Sequence, residues 1–362
     1  DMDASSSWAR HLRPSLAQLE VYDVPPARAE ARMHANECPE PWPPHVMDAL
    51  AEVVRGLELG RYPDTSGRRL RQVLAERHGC EANRVVLGNG SDEIISIVLT
   101  ALSGDPSGPG AVVVPTPTFV MYDHVARVLG MPVREVLVDE DLQLDVQAMN
   151  RALVGAAVCF LARPNNPTGI LWDAAIVESM VARHRSTVFV IDEAYAAYSP
   201  GESLWRPDLP DNVVFMSTLS KIGLAALRVG YCIAHPDLAL ALDKVRHPYN
   251  VSQTSLALAE TVLTRFGDVQ AEMIARTIAN RERLRGILAR VPGAVVHPSA
   301  ANLVLVRLAE PERAPALRAH LAAHDVLVKD VSHLPRLHGC LRASVGTSEE
   351  LDQLEHALAE WS

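Results

Sequence analysis

The sequence predicts an α/β protein, with a large unit built on a mostly parallel sheet between helices and a smaller α+β unit at the C-terminal end. Three observations carry this. Short apolar runs at 85–87, 111–114, 156–161, 188–191 and 213–216 alternate with helical patterns, as expected of strands covered on both faces. Several of these runs end in polar, glycine-containing loops, the place where α/β proteins bind ligands. After residue 235 the pattern changes to long helical stretches near 237–247, 252–265 and 268–290, with short strands near 302–308, 326–330 and 340–345 and a last helix at 348–361. The organisation read from this is an N-terminal arm at 1–44, a large unit at 45–245 and a small unit at 246–362.

Composition narrows the function classes. A chain of 362 residues suffices for about two cores. A net charge of −10 argues against the concentrated basic surface that nucleic acid requires. Five scattered cysteines without a Cys-x-x-Cys pair suggest neither a disulfide framework nor a zinc site. His333 and His338 are close in sequence but lack a third ligand at metal spacing, so no metal is expected. The longest apolar run, 154–162, falls short of the roughly 20 residues that span a bilayer. Residues 1–10 lack the apolar segment of a secretory signal. A cytoplasmic protein without a membrane partner is expected.

Taken in order, the arm is rich in proline (Pro25-Pro26, then Pro39 to Pro44), which favours extended chain over helix. Val46, Leu50, Val53 and Leu57 mark an amphipathic helix over 45–58. Tyr62 precedes Pro63 and is therefore held out of helical conformation. Leu70, Val73 and Leu74 mark a second helix. The run at 85–87 enters Gly88-Asn89-Gly90-Ser91-Asp92-Glu93 and then a helix carried by Ile94, Ile95 and Val98. The free N–H groups of Gly90, Ser91 and Asp92 would suit an anion, although Ser and Asp also serve an ordinary capped helix start. Cations downstream, Lys221 and Arg228, favour a phosphate. After the strand at 111–114 come two aromatic candidates for a ring contact, Phe119 and Tyr122. Helices near 145–153 and 173–184 flank the strand at 156–161.

Three consecutive strand ends then carry the chemistry. The first is followed by Arg163-Pro-Asn-Asn166-Pro-Thr-Gly169. The second ends in Asp192, with Tyr195 three residues on. The third leads through Ser217, Thr218 and Ser220 to Lys221, with Arg228 beyond. A lysine between a strand and a glycine turn, flanked by hydroxyls, suits a Schiff base or an anion contact, although a lone Ser-x-Lys is more often a solvated loop. On neighbouring parallel strands, all three groups would meet at one edge of the sheet.

With these motifs the chain resembles the fold-type I pyridoxal 5′-phosphate (PLP) aminotransferases over nearly its whole length, and within them the histidinol-phosphate aminotransferases. The resemblance implies a seven-stranded sheet and PLP as cofactor, with Lys221, Asp192 and Tyr195 as the catalytic set. Lys221 would carry the cofactor and move a proton, and Asp192 would face the pyridine nitrogen. Asn166 and Tyr195 would donate to the ring oxygen. Ser91, Asp92, Thr218, Ser220 and Arg228 would hold the phosphate, and Phe119, preferred over Tyr122 by its place in the motif, would stack on the ring. Arg228 follows Lys221 by seven residues where many aminotransferases have eight. Tyr62 would reach the cofactor of the other subunit, implying a homodimer.

The same resemblance places Tyr22, Asn36, Lys329 and Arg342 at the substrate. Asn36-Glu37-Cys38-Pro39 departs from the family's Asn-Glu-Asn-Pro at Cys38, and Glu40 replaces the usual aromatic. Arg342 matches the substrate-anion arginine, and Lys329 stands where the histidinol-phosphate enzymes often have a second arginine. The expected reaction is L-histidinol phosphate with 2-oxoglutarate giving imidazole-acetol phosphate and L-glutamate, in histidine biosynthesis. An aromatic amino-acid aminotransferase, or a PLP decarboxylase of a phosphorylated amino acid such as threonine phosphate, would share every cofactor residue. A PLP-binding regulator is disfavoured because only the short arm precedes the aminotransferase-like part.

Overall fold

A computed structural model describes residues 8–19, 21, 28–104 and 110–361. Tyr22, expected at the substrate, lies outside the described residues. The chain runs β1 (Ala31–Arg32), α1 (Pro44–Arg55), α2 (Arg68–His78), β2 (Val85–Asn89), α3 (Gly90–Leu102), β3 (Ala111–Thr116), α4 (Met121–Val128), β4 (Val133–Leu137), α5 (Val146–Leu153), β5 (Ala156–Ala162), α6 (Ala174–Arg183), β6 (Val188–Asp192), β7 (Val213–Thr218) and β8 (Val229–Ile233). The C-terminal part follows with α7 (Pro236–Val245), α8 (Gln253–Arg265), α9 (Gly267–Leu288), β9 (Val295–Val296), β10 (Leu303–Arg307), α10 (Ala314–Ala323), β11 (Val326–Leu327), β12 (Lys329–Asp330), β13 (Cys340–Ser344) and α11 (Ser348–Ala359).

Seven strands form one sheet in the order β2-β8-β7-β6-β5-β3-β4. All neighbours are parallel except β8, which is antiparallel to both β2 and β7. Its strands are apolar on both faces because both faces are covered. Val158 and Phe160 of β5 pack with Ile94 of α3 and Leu242 of α7. The alternate residues Cys159 and Leu161 pack with Met149 of α5 and Val177 of α6. The sheet thus keeps the ends of β5, β6 and β7 side by side, as the sequence led us to expect.

The C-terminal layer is a four-stranded sheet, β12-β13-β10-β9. The expected strand at 326–330 is split: β11 pairs in parallel with β1, whereas β12 pairs with β13. Part of the N-terminal arm therefore belongs to this layer, with Ala31 and Met33 fully buried in its core. Edge strand β4 was not anticipated. Its residues are mostly exposed and its polar Arg134 and Glu135 hide any apolar run. No helix among the described residues is long and apolar enough to cross a membrane.

Cys159, Cys232 and Cys340 are buried, while Cys38 and Cys80 are partly accessible. Burial pushes the Cys232 thiol up to about 12 and the Cys340 thiol up to about 11. A thiol-specific reagent should therefore titrate at most two cysteines in the native protein and all five after unfolding. Rapid reaction of three or more in the native state would contradict this packing.

Candidate active site

Where β5, β6 and β7 end, a cleft of about 430 Å³ opens between the large sheet and the C-terminal layer. It is lined by Asn36, Ser91, Asp92, Phe119, Asn166, Asp192, Tyr195, Thr218, Ser220, Lys221, Arg228, Lys329 and Arg342. Every site residue read from the sequence is thus at this cleft except Tyr22, which is not described, and Tyr62. Tyr62 is 81% exposed, stacked on Tyr249 with ring centroids 4.7 Å apart, and is absent from the cleft of its own chain.

Asp192 is the last residue of β6 and only 5% exposed. One carboxylate oxygen accepts a hydrogen bond from the Tyr122 hydroxyl at 2.5 Å, the other from the Ala194 amide at 2.9 Å. Burial raises its pKa above the ordinary value, against the pull of those two donors. Tyr122 is fully buried, and burial together with the Asp192 charge keeps its hydroxyl protonated. The two aromatics read as alternatives have therefore separated. Tyr122 supports the acid from beneath, stacked on Phe160 at 4.6 Å, while half-buried Phe119 faces the cleft edge-on to Tyr122 at 5.5 Å. Nothing in the sequence distinguished a tyrosine aimed at Asp192 from one packed in the core.

Lys221 is the second residue of a π-helical turn, Ser220–Leu224, shortly after β7. Its Nζ lies 3.5 Å from the Ala35 carbonyl and 5.6 Å from the centre of the Tyr195 ring. The Tyr195 hydroxyl accepts from Asn36 Nδ2 at 3.1 Å, which leaves its own proton to donate into the cleft. Asn166 is fixed in the same way. Its Oδ1 accepts from Arg342 Nη1 at 2.8 Å and from Asn36 Nδ2 at 3.5 Å, so its amide N–H₂ is the group left to donate. Asn36 holds this junction in left-handed conformation at φ 55°; its backbone N–H donates to the Ser344 hydroxyl, which donates in turn to Asn36 Oδ1.

An anion cup lies on the other side of Lys221. Gly230 of β8 faces Gly88 of β2, and a Cβ at Gly230 would stand 2.4 Å from the Ser91 nitrogen. The backbone at the start of α3 can therefore approach β8 only over a glycine. The amide of Gly90 is taken by the Arg228 carbonyl at 2.8 Å. This corrects the expectation that Gly90 offers an N–H; Ser91 and Asp92 remain the available donors. Arg228, at φ 51°, sends one nitrogen to the Ser220 hydroxyl and another to Asp92, each at 3.3 Å. Thr218 bonds the Ser220 hydroxyl at 3.0 Å and the Val229 carbonyl at 3.1 Å, steadying the cup from behind.

On the C-terminal wall, Lys329 of β12 stands in register with Arg342 of β13, so the two cations share one face of the sheet. His34 and His333 also line the cleft, although the sequence reading gave neither a role here. Burial lowers the His34 pKa; the Glu37 charge opposes this, and the charges of Arg342 and Lys329 add to the lowering.

The residues fit PLP. A carboxylate buried without a cationic hydrogen-bond partner among the described residues suits a protonated ring nitrogen. The cup of Arg228, Ser220 and the α3 start suits a phosphate, and Lys221 lies between the two. Such an arrangement defines an enzyme that uses PLP at the carboxyl ends of an α/β sheet. The chain belongs to the aminotransferase class I and II family, which it matches over residues 31–358. It is 40% identical over 355 residues to histidinol-phosphate aminotransferase 1 of Burkholderia lata, covering 96% of each chain. It is 38% identical to histidinol-phosphate aminotransferase 2 of Nitrosococcus oceani, covering 94% of each. Its fold superposes with a TM-score of 0.86 on the crystal structure of histidinol-phosphate aminotransferase from Sinorhizobium meliloti in complex with PLP, at 27% identity and covering 99% of this chain and 98% of that one.

The raised pKa of Asp192 has a consequence for the protein stripped of PLP. A carboxyl whose folded pKa lies above its unfolded value stabilises the fold at low pH and loses that contribution as pH rises. Asp192→Asn removes the titration. The Tm of the PLP-free variant relative to PLP-free wild type should therefore climb as pH increases above the ordinary carboxylate range. Parallel Tm profiles for the two proteins would contradict a destabilising buried charge.

Proposed function

We propose that the protein transfers the amino group of L-histidinol phosphate to 2-oxoglutarate, giving imidazole-acetol phosphate and L-glutamate. The observation that carries this substrate is the pair of cations, Lys329 and Arg342, in register on the cleft wall opposite the cofactor groups. Two cations suit a phosphate dianion better than a single carboxylate. The names of the relatives point the same way. An aromatic amino-acid aminotransferase or a decarboxylase of a phosphorylated amino acid would use the same cofactor residues, and only the substrate separates these readings.

PLP, when bound, supplies the electron-accepting ring and carries the amino group between the two substrates. The chain's own groups do the rest. Asp192 holds the ring nitrogen protonated. Asn166 and Tyr195 would donate to the ring oxygen, Tyr195 oriented by Asn36 and Asn166 by Arg342 and Asn36. Ser91, Asp92, Ser220 and Arg228 would hold the phosphate, with Thr218 behind them, and Phe119 would lie against the ring. Lys221 would hold the cofactor, and its amine would move the proton at the substrate's α-carbon. Asn36 shapes the substrate side of the cleft together with Lys329 and Arg342, and Tyr22 is assigned to it on resemblance alone.

We also infer a cytoplasmic homodimer. Five free cysteines accord with a reducing compartment. Met47, Val54, Leu59 and Tyr62 expose large apolar side chains on α1 and the segment after it, a surface that a second copy would cover. Tyr62, remote from its own cleft, would reach the cofactor phosphate of the partner.

These roles give four expectations. Lys221→Ala should fold and bind PLP but lose turnover, and borohydride should fix the mass of PLP on the wild-type peptide containing Lys221 and on no peptide of the variant; an active variant would remove the assignment. Lys329→Met should raise KM for L-histidinol phosphate about tenfold while leaving KM for 2-oxoglutarate within about twofold. Wild type should prefer L-histidinol phosphate over phenylalanine, tyrosine and aspartate in kcat/KM, and inactivity on it alone would sink the substrate assignment. In the dimer, mixing inactive Tyr62→Ala and Lys221→Ala subunits should restore activity, because one of the two sites in the hybrid is then intact. Absence of restoration in a verified hybrid would refute the reach of Tyr62 across the interface.

A further inference from the structure

The turn that presents Lys221 cannot hold itself. Within Ser220–Leu224 the backbone leaves helical geometry at Ile222 (φ −116°, ψ 35°) and at Gly223 (φ 95°). Carbonyls in such a turn lose regular helical partners and need others where water is excluded. Three consecutive carbonyls are met by three side chains from distant parts of the chain. The Tyr198 hydroxyl donates to the carbonyl of Lys221 itself. Gln270 Nε2, on α9, donates to the Ile222 carbonyl at 2.8 Å. Trp42 Nε1, in the N-terminal arm, donates to the Gly223 carbonyl at 2.8 Å.

Two further observations separate this set from chance contacts. Gln270 is 1% exposed, and its Oε1 is buried without a partner among the described residues. A leucine there would avoid that cost, so the side chain's donor is the part with a use. Gly223 is also closed against the same tryptophan, since a Cβ there would lie 3.1 Å from Trp42 Cζ2. Its positive φ and the indole therefore fit one another. Tyr198 is likewise buried, with Cys38 and Asn302 against its hydroxyl.

We propose that Tyr198, Gln270 and Trp42 are positioning residues for Lys221, clamping the carbonyls of its turn so that the amine is held toward the cleft. This rests on the assignment of Lys221 as the cofactor-bearing amine. None of the three touches the reacting atoms: Tyr198 acts on the carbonyl of Lys221 itself, and Gln270 and Trp42 act on the next two carbonyls of its turn. Three independent parts of the fold, namely the loop after β6, the arm and α9, are thereby tied to the placement of one side chain.

The test uses PLP-loaded Tyr198→Phe, Gln270→Leu and Trp42→Phe, each of which removes a donor with little change of shape. Each should lower kcat about tenfold with KM for the amino donor within about twofold. Each should also displace the midpoint of the pH titration of the bound cofactor's visible absorbance by about half a pH unit or more, since that midpoint reports the lysine's surroundings. Unchanged kcat and midpoint overturn the proposal, and so does a drop in Tm with both readouts unmoved, which would mark a purely structural role. Should Gln270→Leu or Trp42→Phe fail to accumulate, Tyr198→Phe decides alone, because it loses one oxygen only. Borohydride labelling of the wild type separates the two levels. Label on a residue other than Lys221 defeats the function proposed above, whereas label on Lys221 with indifferent variants defeats only the clamp.

Discussion

The site depends on one buried charge. Asp192 ends β6 in the middle of the seven-stranded sheet, with Tyr122 beneath it and the chain of Ala194 folded over it. A carboxylate there loses its hydration, and two neutral donors recover only part of that loss. The fold supplies no cationic hydrogen-bond partner for it among the described residues, and a cationic ring in the cleft would supply one. Much else follows from this requirement. The sheet must be covered on both faces to exclude water, and the strands beside β6 must end level with it to bring an amide and an amine to the same ring.

A second constraint joins the two layers. Asn36 contacts Asn166 and Tyr195 on the large sheet and Ser344 on the small one, while Arg342 reaches across from β13 to Asn166. Groups that would face the cofactor and groups that would face the substrate thus share hydrogen bonds. Movement of the C-terminal layer would be felt at Asn166, and the arm that carries Asn36 is anchored in that layer through β1. On the proposed roles, specificity and cofactor placement would be coupled through this buried polar junction.

Much of this was legible in the sequence because the informative signals are local. Apolar runs bounded by turns gave the central strands, and polar residues at their ends gave Asn166, Asp192, Tyr195, Lys221 and Arg228, all of which meet at one cleft. What escaped was non-local or carried no period. Strand β4 is an exposed edge with charged residues, so it lacks an apolar signature. The pairing of β1 with β11 joins residues about 300 positions apart, and two-residue strands leave no pattern. The task of Tyr122 depends on which way a buried ring points. The Gly90 amide looked available because nothing in the sequence shows the Arg228 carbonyl bending back to it. Trp42, Tyr198 and Gln270 carried no signal in the sequence, since their common target is a stretch of backbone.

The central claim is that Asp192 keeps the cofactor's ring nitrogen protonated. Nitrogen-15 NMR of PLP labelled at that position, bound to the wild type and to Asp192→Asn, measures it directly. The account predicts a shift typical of the protonated ring in the wild type, constant across the pH range in which the protein is folded, and a neutral ring in the variant. A ring nitrogen in the wild type that is neutral, or that titrates as it does in free PLP, would contradict it.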